Sequence, residues 1–428
     1  MTFCTPRLIA AAACLAACGV VLVAGPLTPP PGPVQSTQLA LDDVEPRTPL
    51  TSEFVAGDAN SVFRITAPGH YYLTGDVVVP SGQTGIVIAG NQVILDLNGY
   101  SVRALPGSND GITTSGTRSD LVIRNGFINA AQVGIRLTGS SRRVLIEDIT
   151  INGAGGNGID TSADVTIRNC TVIASNNALD LAGRVIVENC NLTGAVDGIR
   201  GGSRMTIRNN YIQATSSGSG FGIQIEGDSV VEGNTVFVNN GNGIRALDGS
   251  KITNNTLEGG SSSTGIIGPG SVTAGNTVGG FSIGISQSGG RVSGNFVSAT
   301  ATAGIIASNA TVEANAVNIE GGSGIQAQAN CNIANNTVTD GDTLGSIGIL
   351  VTGSNTTVDG NTLIGLGTGV SVNSARSAIV RSNTAQGVAD AFGSVVTPGN
   401  ILAPVELYTP ASSTVVSNSP YANFDYQP

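Results

Sequence analysis

Between Val165 and Ile212 apolar and polar positions alternate in runs of three or four residues, and the runs recur. The stretch reads VTIRNCTVIASNNALDLAG, then RVIVENCNLTGAVDGIRGG, then SRMTIRNNYI: one pattern written three times, about 20 residues apart. Each copy holds an apolar–x–apolar strand, a charge, an Asn and a second short strand, and a Gly-Ile or Ala-Leu pair opens the next strand. Period-2 alternation over so few residues predicts half-buried strands. No helix-period stretch competes with it. The opening pairs run from Gly85-Ile86 through Gly158-Ile159, Ala178-Leu179 and Gly198-Ile199 to Gly369-Val370, at steps of 19 to 26 residues. Such a period cannot bury its apolar face in one repeat, so successive copies must stack. The spacing therefore predicts an all-β fold, a parallel β-solenoid of about fourteen coils and about 65 Å long, with three short strands per coil.

Three further columns follow from stacking. Asn210, Asn234, Asn255, Asn276, Asn295, Asn315, Asn336, Asn361 and Asn383 recur at the coil period. They predict an internal amide ladder at a bend where Asn tolerates left-handed backbone. Cys170 and Cys190 fall in the same column one coil apart and read as small buried side chains, with a disulfide as the alternative. Cys331 shares the inward register of Val165, Val185 and Met205. Arg124, Glu147, Arg168, Glu188, Arg208 and Glu232 alternate in sign, which predicts a solvated charge ladder that opposes register slips.

Composition changes the picture in two ways. Hydrophobic residues make up 40% of the chain, which excludes disorder despite 60 Gly, and the formal net charge of −10 argues against a nucleic-acid partner. The first 24 residues place Arg7 before the apolar run LIAAAACLAACGVVLVA. This predicts an export signal or N-terminal anchor. Cleavage near Ala24, lipidation of Cys18 in Leu15-Ala16-Ala17-Cys18, and retention as an anchor all stay open, and each puts the body in an extracellular, periplasmic or cell-surface location. Membrane contact is expected only through this segment. Residues 25–52 read as a Pro-rich, acidic linker, 53–400 as the solenoid and 401–428 as a C-terminal cap or tail.

Pro68-Gly69-His70-Tyr71-Tyr72-Leu73-Thr74-Gly75, then Gly85-Ile86-Val87-Ile88, then Val93-Ile94-Leu95-Asp96-Leu97-Asn98-Gly99-Tyr100 resemble the opening of exported bacterial right-handed parallel β-helix repeat proteins, whose body is related in fold to pectin lyases. The resemblance runs from Phe54 to the C-terminus. It implies a right-handed, single-stranded parallel β-helix and no particular activity, because fold does not fix function.

Candidate chemistry lies in the column after the Gly-Ile pairs: Arg136, Asp160, Asp180, Arg200, Gln224 and Arg245. Adjacent Asp160 and Asp180 would repel, raising the pKa of one and creating an acid/base pair, with Arg200 in a neutralising role. Arg136, Gln224 and Arg245 are candidate ligand-binding residues. Against catalysis, the chain lacks the Asp-Pro-His-Asp run of mannuronan epimerases and the Gly-His-Gly and Arg-Ile-Lys of polygalacturonases. It has one His, His70, and one Lys, Lys251. Gly155-Gly156-Asn157-Gly158-Ile159-Asp160 matches the start of a calcium-binding nonapeptide, but once only and with Ser162 where the motif takes an apolar residue, so no cofactor is expected and calcium is the alternative. These residues point to a non-catalytic exported or cell-surface protein, structural or binding an extracellular or cell-wall polysaccharide. The alternative is a polysaccharide lyase, epimerase or glycoside hydrolase acting on a long polymer.

Overall fold

The structure, a computed structural model, describes residues 47–427 apart from 131, 216–217, 219, 341–344, 374–376, 396–398 and 409–416. The export segment, Cys18 and the linker up to Pro46 lie outside the described residues.

The chain from Arg47 onward winds into a right-handed parallel β-helix of about 17 turns. Three parallel sheets run its length. The first begins at Ser61–Ile65 and carries the Gly-Ile strands to Thr368–Val372. The second begins at Thr48–Leu50, passes through Val165–Arg168, and ends at Ile401–Leu402. The third begins at Val77–Val79 and ends at Asn423–Tyr426. Period-2 alternation decides which side chains enter: Val165 and Ile167 are buried while Thr166 and Arg168 face out. The next turn repeats this in register, Val165 against Val185 and Ile167 against Val187. At strand spacing, 17 turns make a rod of about 80 Å.

The structure has more turns than there are Gly-Ile pairs because both ends are built without that signal. Thr48–Leu50 pairs with Tyr71–Leu73, so the first turn starts inside the segment read as linker. At the other end Asn423–Tyr426 returns beside Thr384–Gln386, and Val405–Tyr408 lies along its far edge. The tail so covers strand groups that an open end would leave unpaired.

The amide column is internal, as its spacing predicts. Asn255 Nδ2 donates to Asn276 Oδ1 (3.0 Å) and to Val231 O (3.0 Å), and the Asn255 backbone N–H donates to the same Asn276 Oδ1 (2.9 Å). The bond set repeats to Asn383, whose Nδ2 reaches Asn423 Oδ1 (3.1 Å) across 40 residues. One expectation needs correction: the left-handed residue at this bend is the one before the ladder position. Asn209 (φ 55°), Asn254 (φ 56°) and Gly275 (φ 65°) take it, and the ladder Asn follows with its side chain turned inward. Cys190 joins the column through its N–H, which donates to Asn210 Oδ1 (2.9 Å). Cys170, Cys190 and Cys331 are buried free thiols. The contact with Cys190, then burial, pushes the Cys170 thiol up, which keeps it protonated.

The sign-alternating column on the second sheet forms discrete pairs: Arg124 with Asp96, Arg168 with Glu147 and Arg208 with Glu188. Their arginines are well exposed, so each pair adds only a few tenths of a kcal/mol, about 0.2–1.

Candidate functional site

The outward column of the first sheet is built as its spacing requires. Arg136 lies beside Asp160, Asp160 beside Asp180, Asp180 beside Arg200, Arg200 beside Gln224 and Gln224 beside Arg245. Each follows a fully buried Ile or Leu, which anchors the strand and fixes the side chain's direction outward.

The column divides in two. In its first half every charge is engaged. Arg136 Nε donates to Asp110 Oδ2 (2.7 Å) and its Nη1 to Asp160 Oδ2 (3.0 Å), so one guanidinium joins two carboxylates on either side. Asp110 was not singled out from the sequence, yet it is the better-buried partner, with its side chain 11% exposed. Asp180 accepts from Asn157 Nδ2 (3.2 Å) and Asn177 Nδ2 (3.3 Å). In the second half, Arg200, Gln224 and Arg245 make no side-chain hydrogen bond or ion pair among the described residues. Three polar side chains at strand spacing, ~4.8 Å apart, are therefore open to a ligand.

Asp110, Asn157, Asn177 and Asp197 form one further column, each immediately before a Gly-Ile or Ala-Leu pair. That position was the signal that could have found them. Asp197 Oδ1 accepts the Phe221 N–H (2.7 Å), and the Asp197 N–H donates to Asn177 Oδ1 (3.3 Å). A shallow groove of ≈ 400 Å³ opens beside this column, lined by Gln132, Arg136, Asn157 and Asp160. Gly155 and Gly156, from the single calcium-type motif, also line it. Among the described residues no group of three or more His, Cys, Asp or Glu is placed to hold a metal ion.

Burial pushes the Asp160 carboxyl up, Arg136 pulls it back and Asp180 pushes it further up. Burial also raises Asp197, against the pull of the Phe221 N–H and Arg200. A raised folded pKa means that the native state holds the proton more tightly than the unfolded chain. That contribution is full below the unfolded value and is lost as pH rises through the folded one. Asp197→Asn keeps the acceptor for Phe221 and removes the titration. Denaturant midpoints measured from about pH 3 to about pH 7 are expected to show D197N gaining on the native protein as pH rises. A constant difference across that range would show that Asp197 does not titrate abnormally.

Fold and site together define a right-handed parallel β-helix protein with a polar outer column on its first sheet. The family model described as "Right handed beta helix region" matches residues 110–260. A comparison with curated proteins yields no match. Among solved structures, the chain is similar to the A-module of the mannuronan C-5 epimerase AlgE6 of Azotobacter vinelandii, at 14% identity over 76% of this chain and 91% of that one, TM-score 0.33. It is similar to the tailspike protein of E. coli bacteriophage HK620, determined with a pentasaccharide, at 12% identity over 80% and 71%, TM-score 0.33. It is also similar to PfbA, a surface adhesin of Streptococcus pneumoniae, at 13% identity over 83% and 91%, TM-score 0.29. At such identities and scores the likeness concerns the winding alone, and no activity is carried over from it.

Proposed function

We propose that this protein is an exported or cell-surface, non-catalytic β-helix that binds a carbohydrate polymer along its first sheet. The observation that carries this reading is the division of the outer column. Arg136 occupies Asp110 and Asp160, and two Asn amides occupy Asp180, so the carboxylates are spent on the protein itself. The side chains left open are Arg200, Gln224 and Arg245, which donate hydrogen bonds and, in Gln224, also accept them. They stand one per turn along the rod axis, which suits a linear chain with many hydroxyl or carboxylate groups.

A second reading rests on Asp160, whose raised carboxyl beside Asp180 is the pattern of a general acid next to a carboxylate base. One experiment separates the two. The full chain is incubated with uronate and neutral polysaccharides while unsaturated products, new reducing ends and retention on polymer-containing gels are followed. The binding reading expects no turnover, and it expects retention that Arg200→Ser with Arg245→Ser weakens roughly tenfold without lowering the melting temperature. Turnover abolished by Asp160→Asn or Asp180→Asn would establish the enzyme instead.

A further inference from the structure

Two grooves lie on the second sheet, away from the polar column of the first. They measure ≈ 510 and ≈ 520 Å³ and share Arg143, Val144 and Thr166, so they form one channel along the rod. Its floor is aliphatic, made by Val122, Leu145 and Ile186, which stand on successive strands of this sheet with Thr166 between the last two. Its rim on the side of the first sheet is cationic. Arg143, Arg184 and Arg204 each occupy the residue before the inward Val144, Val185 and Met205, and Arg142 precedes Arg143.

The charges in this rim do not cancel. Arg143 pairs with Asp120 and Arg184 with Asp164 (3.2 Å). Arg142 and Arg204 have no hydrogen-bonded or ion-pair partner for their guanidinium groups among the described residues. Both are exposed. A chain with a formal charge of −10 so gathers five arginines against two aspartates along this channel. Three turns separate Arg142 from Arg204, about 14 Å along the axis. On the opposite side Arg168 lines the channel, and the column it belongs to pairs Arg168 with Glu147 and Arg208 with Glu188.

We propose that this channel binds a linear acidic polysaccharide, laid parallel to the rod axis. Carboxylate or sulfate groups of the polymer meet Arg142 and Arg204, and the C–H faces of its rings lie on Val122, Leu145 and Ile186. Three features select this occupant. The channel is long, shallow and open, which fits an extended polymer and would leave a small ligand or an acyl chain in water. Its free cations are spaced along the axis, which matches a charge that repeats along a chain. The far side adds no net negative charge, because Arg168 and Arg208 hold the Glu147 and Glu188 carboxylates beneath them, so an extended anion is not repelled from that side. The proposal goes beyond the first-sheet reading and does not depend on it.

Arginine modification by phenylglyoxal, mapped by peptide mass on the full-length protein, reads each site separately. Polygalacturonate is expected to protect Arg142 and Arg204, and dextran to protect neither. Arg142→Ser with Arg204→Ser is expected to weaken polygalacturonate binding roughly tenfold while melting stays unchanged. The remaining affinity should fall with added salt. Protection confined to Arg200 and Arg245 would overturn the proposal and leave the first-sheet reading standing. Protection of Arg142 and Arg204 by phosphatidylglycerol vesicles but not by polygalacturonate would overturn it in favour of a lipid surface.

Discussion

Asn276→Leu is expected to lower the unfolding free energy by about 3–5 kcal/mol, although it replaces a polar residue in the interior by an apolar one of similar size. The reason is the accounting of hydrogen bonds around a side chain that is 1% exposed. Asn276 Oδ1 accepts both from the Asn255 backbone N–H (2.9 Å) and from Asn255 Nδ2 (3.0 Å). Its own Nδ2 donates to Ile252 O (2.8 Å), Ala274 O (3.1 Å) and Asn295 Oδ1 (3.0 Å). Leucine breaks the chain at this link: it takes the acceptor from the Asn255 backbone N–H and side-chain amide and the amide donor from Ile252 O and Asn295 Oδ1, all away from water. Each stranded group costs about 1–3 kcal/mol, and a chain of polarised amides loses more than its pairwise sum. The exposed Asn240, whose backbone is not left-handed and whose side chain makes no hydrogen bond among the described residues, serves as the comparison: Asn240→Ala should change stability by less than about 0.5 kcal/mol. Urea unfolding followed by circular dichroism checks both. Equal effects at the two positions would remove the ladder from the account.

Gly284→Val is expected to cost about 3 kcal/mol or more and to reduce the yield of folded protein. A Cβ at Gly284 would come to 2.2 Å from Val297 Cγ1 and 2.6 Å from Gly304 O. The second of these is backbone of the next turn, which cannot rotate away. The same clash recurs along the column, at Gly198 with Ile212 Cγ2 (2.2 Å) and Gly222 O (2.6 Å), and at Gly304 with Val317 Cγ1 (2.3 Å) and Gly324 O (2.7 Å). The glycines thus let the first sheet approach the third closely; their φ values need not be positive. Ala178 departs from the column; Gly194 nearby is required chiefly by its own loop, since a Cβ there would stand 1.8 Å from Asp197 O. Gly202→Ala is the control, since its Cβ would meet nothing closer than Ala182 O at 3.5 Å. Thermal melts of the two variants should differ widely, and similar melting temperatures would show that the turns can spread.

These two positions also explain what could be read from the sequence. A buried site in a stacked fold faces its own copy above and below, so it admits one size and one hydrogen-bonding pattern, and the residue repeats. Gly before Ile and the column from Asn210 to Asn383 were legible for that reason. The alignment of Arg136, Asp160, Asp180, Arg200, Gln224 and Arg245 in one column is legible because each is tied to a buried Ile or Leu next to it. Other positions repeat less strictly. Asp110 and Asn157, which decide the state of the aspartates, stand one residue before the Gly-Ile pairs, in a column interrupted by Val133 and Phe221. Arg142 and the corner residues Arg143, Arg184 and Arg204 do not stand out as a group in the sequence because the corner position changes sign along the rod, with Asp120, Asp164 and Asp228 at the same place. Asn423 escaped notice because a long excursion separates it from Asn383, although it completes the same ladder. The left-handed residue was assigned one position late, since both members of an Asn-Asn pair such as Asn209-Asn210 satisfy the same expectation and only the backbone distinguishes them.

Successive turns lie squarely over one another, so that residues far apart in sequence become vertical neighbours. Thr166 and Asn332 face outward on the second sheet and are linked by eight successive in-register pairings. With Cys4, Cys14 and Cys18 replaced, spin labels at Thr166→Cys and Asn332→Cys should give a single narrow distance near 38 Å in a pulsed dipolar measurement, eight strand spacings of ~4.8 Å. A broad distribution, or a peak displaced by more than about two strand spacings, would contradict the stacking and with it both surfaces described above.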